Sequence, residues 1–81
     1  MASTPINREF RNISVSARRA LEAQGASIRP SKDYPSITLV DFPQGTTDKA
    51  VRIHGGTTVW QYRLPNGTEL SYESGGTLAV G

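Results

Sequence analysis

Between Thr4 and Gly25 the apolar residues recur at three- and four-residue intervals. At 100° per residue Ile6, Phe10, Ile13, Ala17, Ala20 and Leu21 share an arc of about 100°, the width of a core-facing helical stripe. Thr4-Pro5 has the form of an N-cap followed by proline at the first helical position, and Gly25 that of the residue after a helix end. These signals predict a helix over 5–24. Asn12, Ser14, Val15 and Ser16 are mediocre helix formers in a row, so Ser14 or Ser16 would cap a shorter helix ending at the same glycine. Beyond a connector containing Pro30, Asp33 and Pro35 the period changes from 3.6 to 2. The composition turns to Thr, Val, Ile and Tyr, predicting strands at 36–42, 50–54, 57–64, 68–73 and 77–80.

The turns fix how these strands pair. Leu64-Pro65-Asn66-Gly67 carries proline where a type I turn needs φ near −60°, then asparagine, then glycine for the left-handed residue of a three-residue loop. Leu64 then opposes Thr68, Arg63 opposes Glu69, Tyr62 opposes Leu70 and Trp60 opposes Tyr72. That register joins opposite charges on one face and aromatic and apolar groups on the other. A two-residue Asn-Gly loop would set Trp60 against Glu73 instead. A Gly55-Gly56 loop places Val51 opposite Trp60 and Ile53 opposite Thr58, and a Ser74-Gly75-Gly76 loop places Leu78 opposite Tyr72 and Val80 opposite Leu70. One face therefore gathers Val51, Ile53, Trp60, Tyr62, Leu64, Leu70, Tyr72, Leu78 and Val80, and the helix stripe is its natural cover.

The expected fold is α+β: one N-terminal helix packed on one face of a four- or five-stranded antiparallel β-meander. Residues 1–81 form a single small domain in which 1–12 can act as a flexible or partner-docking arm. Strand 36–42 breaks the alternation, because Ile37 and Leu39 face one way and Val40 and Phe42 the other. Either the connector 26–35 covers its outer side with Ile28 and Tyr34, or a partner does.

Composition narrows the functional classes. With 81 residues the chain buries only about 60% of its unfolded surface, so the core is thin. No Cys and one His leave no disulfide framework, no thiolate zinc site and no multi-histidine metal centre; no cofactor is expected. The polar opening Met1-Ala2-Ser3-Thr4-Pro5 and the absence of a long apolar run predict neither signal peptide nor membrane span, hence a cytoplasmic protein, or a virion component if phage-derived. The net charge of +2 hides an N-terminal excess: Arg8, Arg11, Arg18, Arg19 and Arg29 outnumber Glu9 and Glu22. On the expected helix Arg8, Arg11, Arg18 and Arg19 project opposite the apolar stripe. This is the ordinary position for solvated charge and also a candidate nucleic-acid-binding face.

Catalytic material is sparse. His54 is the one conventional proton shuttle, with Arg52 and Arg63 as its nearest expected helpers for phosphodiester cleavage. Glu69 and Glu73 lie four strand residues apart, about 13 Å along the backbone, beyond the two-carboxylate spacing of about 5 to 10 Å in glycoside hydrolysis. The glycines form turn pairs and no phosphate-binding fingerprint. Ala20-Leu21-Glu22-Ala23-Gln24-Gly25 followed by strands and His54 is similar in order to double-stranded RNA-binding domains and HicA-type ribonuclease toxins. The second helix of those proteins has no counterpart, and His54 leads into Gly55-Gly56 where those toxins have Gly-Ser-His, so the chain is assigned to neither.

The function expected from the sequence is a small non-catalytic protein-interaction module of the kind found among phage or mobile-element products, an assembly or coat component or an inhibitor of a host machine. Its partner is another protein or a second copy. A helix of twenty residues, about 30 Å long, overhangs strands of about 23 Å. The overhang makes Ile6, Arg8, Phe10 and Arg11 one partner-binding candidate, and the outer side of strand 36–42 makes Val40 and Phe42 the other. The alternatives are a nucleic-acid-binding module using Arg8, Arg11, Arg18 and Arg19, and a minimal ribonuclease using His54.

Overall fold

The computed structural model describes residues 6–52, 55–73 and 75–81. Strands β1 (Asn7–Phe10) and β2 (Asn12–Ile13) precede helix α1 (Val15–Ala23). Six strands follow: β3 (Ser27–Pro30), β4 (Thr38–Asp41), β5 (Thr47–Arg52), β6 (Thr58–Arg63), β7 (Glu69–Glu73) and β8 (Thr77–Val80). The strands form two sheets. One is three-stranded in the order β1-β4-β3, and the other is five-stranded in the order β2-β8-β7-β6-β5. Every pairing is antiparallel except β2 with β8. The α+β class holds, but the helix lies between β2 and β3 and is not N-terminal.

The helix begins at Ser14, whose side chain accepts from the Ala17 N–H at 3.1 Å. Its far end is the expected glycine: Gly25 sits at φ +84°, and the Gly25 and Ala26 N–H groups donate to the Glu22 and Leu21 carbonyls. Asn7–Phe10 and Asn12–Ile13 before Ser14 are strand, which corrects the long helix over 5–24; residues 1–5 of the expected 1–12 arm lie outside the described residues. Ile6 and Phe10 are four residues apart, and that spacing returns to the same face both in a helix and in a strand. Here the strand prevails: β1 pairs with β4, and the helix starts only at the Ser14 cap, after the poor helix former Asn12. Only Arg11 separates β1 from β2, so the chain steps from one sheet to the other within one residue.

The connector 26–35 is also corrected. Its first half pairs edge-on with β4 instead of lying over it, placing Ile28 and Arg8 on either side of Val40. Val40 and Phe42 face inward, at 0% and 3% exposure, while Leu39 is half-buried on the outer side between Glu9 and Arg29. Tyr34 is exposed and covers nothing.

The β6–β7 hairpin forms as the turn requires. Arg63 opposes Glu69, Tyr62 opposes Leu70 and Trp60 opposes Tyr72. Gly67 lies at φ +93° and donates to the Leu64 carbonyl at 2.9 Å, and the Thr68 N–H donates to Asn66 Oδ1 at 2.9 Å. Across β7 and β8, Leu70 opposes Val80 as expected. The β5–β6 pair is shifted by one residue: Val51 opposes Val59 and Ala50 opposes Trp60. The connection between Arg52 and Thr58 holds an odd number of residues where a two-residue Gly-Gly loop was expected. A slip of one moves every side chain to the other face. It sets the small Ala50 against the large Trp60 and moves Val51 off the core side. Ile53, which was expected in the core, lies outside the described residues.

The core occupies the space enclosed by the two sheets and the helix. Phe10 meets Phe42, Tyr62 and Tyr72 edge-to-face, at centroid separations of 6.1, 5.9 and 4.8 Å, and Phe42 stacks on Tyr62 at 4.7 Å. Leu64, Leu70 and Leu78 complete the floor of the five-stranded sheet, and Ala17 and Leu21 bring the helix onto it. Among the described residues no helix is long and apolar enough to cross a membrane. Phe10→Ala and Phe42→Ala should each cost about 3–5 kcal/mol, the range for emptying a packed aromatic site. Urea denaturation followed by tryptophan fluorescence reads this; a loss below about 1 kcal/mol for either would show that the ring is not part of the packed core.

Candidate interaction surface

Three of the six partner-binding candidates are inside the molecule. Phe10, Val40 and Phe42 are at most 3% exposed, because the second sheet covers the surfaces that a single-layer fold would leave open. Ile6 is half-buried against the same core, and its carbonyl accepts from the Phe42 N–H at 2.9 Å. Arg8 is engaged within the chain: Nη2 donates to Asp48 Oδ2 at 2.9 Å, tying the three-stranded sheet to β5. Arg11 remains exposed between β1 and β2. The proposed row of four helix arginines does not exist, since Arg8 and Arg11 precede the helix. Arg18 and Arg19 alone project from α1, both exposed. His54 lies outside the described residues.

The remaining charges sort into paired and unpaired groups. Arg29 meets Asp41 across β3 and β4, and Arg63 Nη2 meets Glu69 Oε1 at 2.6 Å. The latter side chains are more than half exposed, so the pair contributes well under about 1 kcal/mol and chiefly reports register. Arg11, Arg18, Arg19, Lys49 and Arg52 have no acidic partner within ion-pair distance among the described residues. No three acidic or histidine side chains among those residues gather as metal ligands.

β5 is the open boundary of the larger sheet. It pairs with β6 on one side and ends the sheet on the other. At six residues it is longer than the edge strands β1 and β3, which have four each. Asp48, Ala50 and Arg52 share the face of Tyr62, Trp60 and Thr58; Thr47, Lys49 and Val51 share the face of Arg63, Gln61 and Val59. Charges of both signs on one short strand are a sequence signature of a sheet edge, and that signal was available at residues 48–52. The slipped register and the late expected start at residue 50 concealed it.

No family model, no curated protein and no solved structure matches the chain. The surface is therefore read on its own chemistry.

Tyr62 is the one described group whose ionisation is clearly displaced. Burial pushes its hydroxyl above the ordinary 10.0, the Arg8 cation pulls it down less strongly, and the Asp48 charge adds to the rise. The folded chain holds this proton more tightly than the unfolded chain. The stabilisation is thus complete below about pH 10 and is lost as pH rises through the folded value. The urea midpoint of the wild type should fall above about pH 10, and Tyr62→Phe, with no proton to lose, should fall less over the same interval. Identical alkaline slopes would remove Tyr62 as the responsible group.

Proposed function

We propose that this chain is a non-catalytic protein-interaction module that engages its partner through the free edge of β5. The observation that carries the reading is the six-residue strand whose outer backbone groups face no neighbouring strand among the described residues. An extended segment added there gains main-chain hydrogen bonds for affinity and side-chain contacts for selection. The interior is occupied by the aromatic cluster, which leaves the sheet edges and the exposed faces as the places where another chain meets this one. The finer assignment, an assembly or coat component of a phage or mobile element or an inhibitor of a larger machine, rests on small size alone.

Neighbouring residues of an antiparallel edge strand direct their N–H groups to opposite sides. One of Ala50→Pro and Val51→Pro therefore removes an outward donor and leaves the β6 ladder intact; thermal unfolding near the wild-type temperature identifies which. In affinity capture from the source cell, that variant should lose the proteins retained by wild type by at least about tenfold, equivalent to about 1.4 kcal/mol. Undiminished capture would reject the edge as the contact.

Exposed Arg11, Arg18 and Arg19 support a second reading, contact with nucleic-acid phosphates. It predicts duplex binding that weakens steeply with salt and is abolished in Arg18→Glu/Arg19→Glu. Under the primary reading neither wild type nor His54→Ala cleaves RNA. Cleavage by wild type that disappears in His54→Ala, assayed on a fluorescent single-stranded substrate, would replace it with an enzymatic function.

A further inference from the structure

We infer that the segment that pairs with the β5 edge is β5 of a second copy, joined about a two-fold axis through Ala50. The inference rests on the edge reading above and adds the identity and register of the partner.

Symmetry restricts the possibilities before any chemistry is considered. Two identical edge strands pair antiparallel in a closed dimer only when the two-fold axis stands normal to the sheet, and each residue at the axis then opposes its own copy. The centre of β5 offers Asp48, Lys49, Ala50 or Val51 for that position. Centring on Asp48 or Lys49 sets like charges directly opposite, which is destabilising. Centring on Val51 brings Arg52 against Ala50 and makes no ion pair among residues 50–52. Centring on Ala50 sets Asp48 of each copy opposite Arg52 of the other, twice, and Lys49 opposite Val51, twice.

The side chains fit that register. Asp48 and Arg52 share one face of β5. Arg52 is exposed and meets no acid among the described residues. Asp48 uses Oδ2 for Arg8, and its Oδ1 accepts no hydrogen bond from the described residues. Arg8 thereby holds the carboxylate in place and leaves one oxygen for the Arg52 of the second copy. Ala50 is the smallest side chain of β5 and is exposed, so nothing bulky stands on the axis. On the other face the methylene stem of Lys49 lies along half-buried Val51 of the second copy. The two five-stranded sheets become one continuous sheet.

The sequence contains no cysteine, which permits a direct test of register. In Ala50→Cys the opposed Cα atoms lie about 4.5–5.5 Å apart, inside the disulfide range of about 4.4–6.8 Å. In Lys49→Cys or Val51→Cys each residue sits about 8 Å from its own copy, beyond that range. With glutathione disulfide as oxidant, Ala50→Cys should form a covalent dimer at least about tenfold faster than either neighbour. A mixture of Lys49→Cys and Val51→Cys should cross-link where neither does alone. Light scattering should show wild-type dimer whose dissociation constant rises at least about tenfold in Arg52→Glu, a loss of about 1.4 kcal/mol. Equal cross-linking rates at 49, 50 and 51, or a wild type that stays monomeric at millimolar concentration, would overturn the second copy as partner. If that happens while the edge-blocking proline variant still loses captured proteins, the edge reading stands and only the self-pairing falls. If capture is also unaffected, both fall.

Discussion

The contact of Phe10 with Phe42, Tyr62 and Tyr72 is the junction on which the two sheets depend. Phe10 belongs to β1, Phe42 follows β4, and the two tyrosines belong to β6 and β7, so one cluster draws on both layers. A three-stranded sheet of four-residue strands has too little surface to persist alone, and the larger sheet would expose its tyrosines and leucines without a cover. Each layer supplies what the other lacks. Aromatic rings suit this task because each removes a large area from water with few torsions to immobilise, which matters in a chain whose core is limited by its length. The edge-to-face geometry adds direction to a contact that area alone would leave free to slide.

Three further ties hold the sheets and the helix in orientation. Arg8 crosses from β1 to Asp48 on β5, and the Ser14 N–H donates to the Leu78 carbonyl at 2.9 Å where the chain turns from β2 into the helix. At the other helix end, Gln24 Oε1 accepts from the Asn66 N–H at 3.2 Å and links the helix terminus to the β6–β7 loop. The Arg8–Asp48 pair is partly exposed and adds little stability. Its effect is positional, since it fixes a charge on the strand that forms the open boundary.

What could be read in the sequence follows the range over which the deciding interaction acts. The β6–β7 hairpin was legible because Pro65, Asn66 and Gly67 determine it within a few residues. Gly25 marked the helix end for the same local reason. The helix start was ambiguous because Ile6 and Phe10 satisfy two periods at once, and the choice is made by β4, some thirty residues away in the chain. Val40 and Phe42 looked like outward residues only while one sheet was assumed. The alternation conflict in strand 36–42 was real: the second layer buries Val40 and Phe42, and Leu39 stays half-buried on the outer side between Glu9 and Arg29. The β5 edge was missed because Gly55-Gly56 admits loops of different length, and one residue of difference exchanges the two faces.

A free edge strand has to be closed to most strands and open to one, and charge order can do both. An uncharged edge of Val and Thr would accept nearly any extended segment, the condition that leads to aggregation. Asp48, Lys49 and Arg52 penalise most registers by setting like charges together or leaving a charge unmatched. The order negative, small, positive at alternate positions 48, 50 and 52 is complementary to its own reversal. An antiparallel copy is a reversal, so the pattern that discourages foreign strands matches a second β5 without further adjustment. In the proposed pairing, register selection comes from Asp48 and Arg52, two of the charges that also protect the edge, with Arg8 holding Asp48 in position from the opposite sheet.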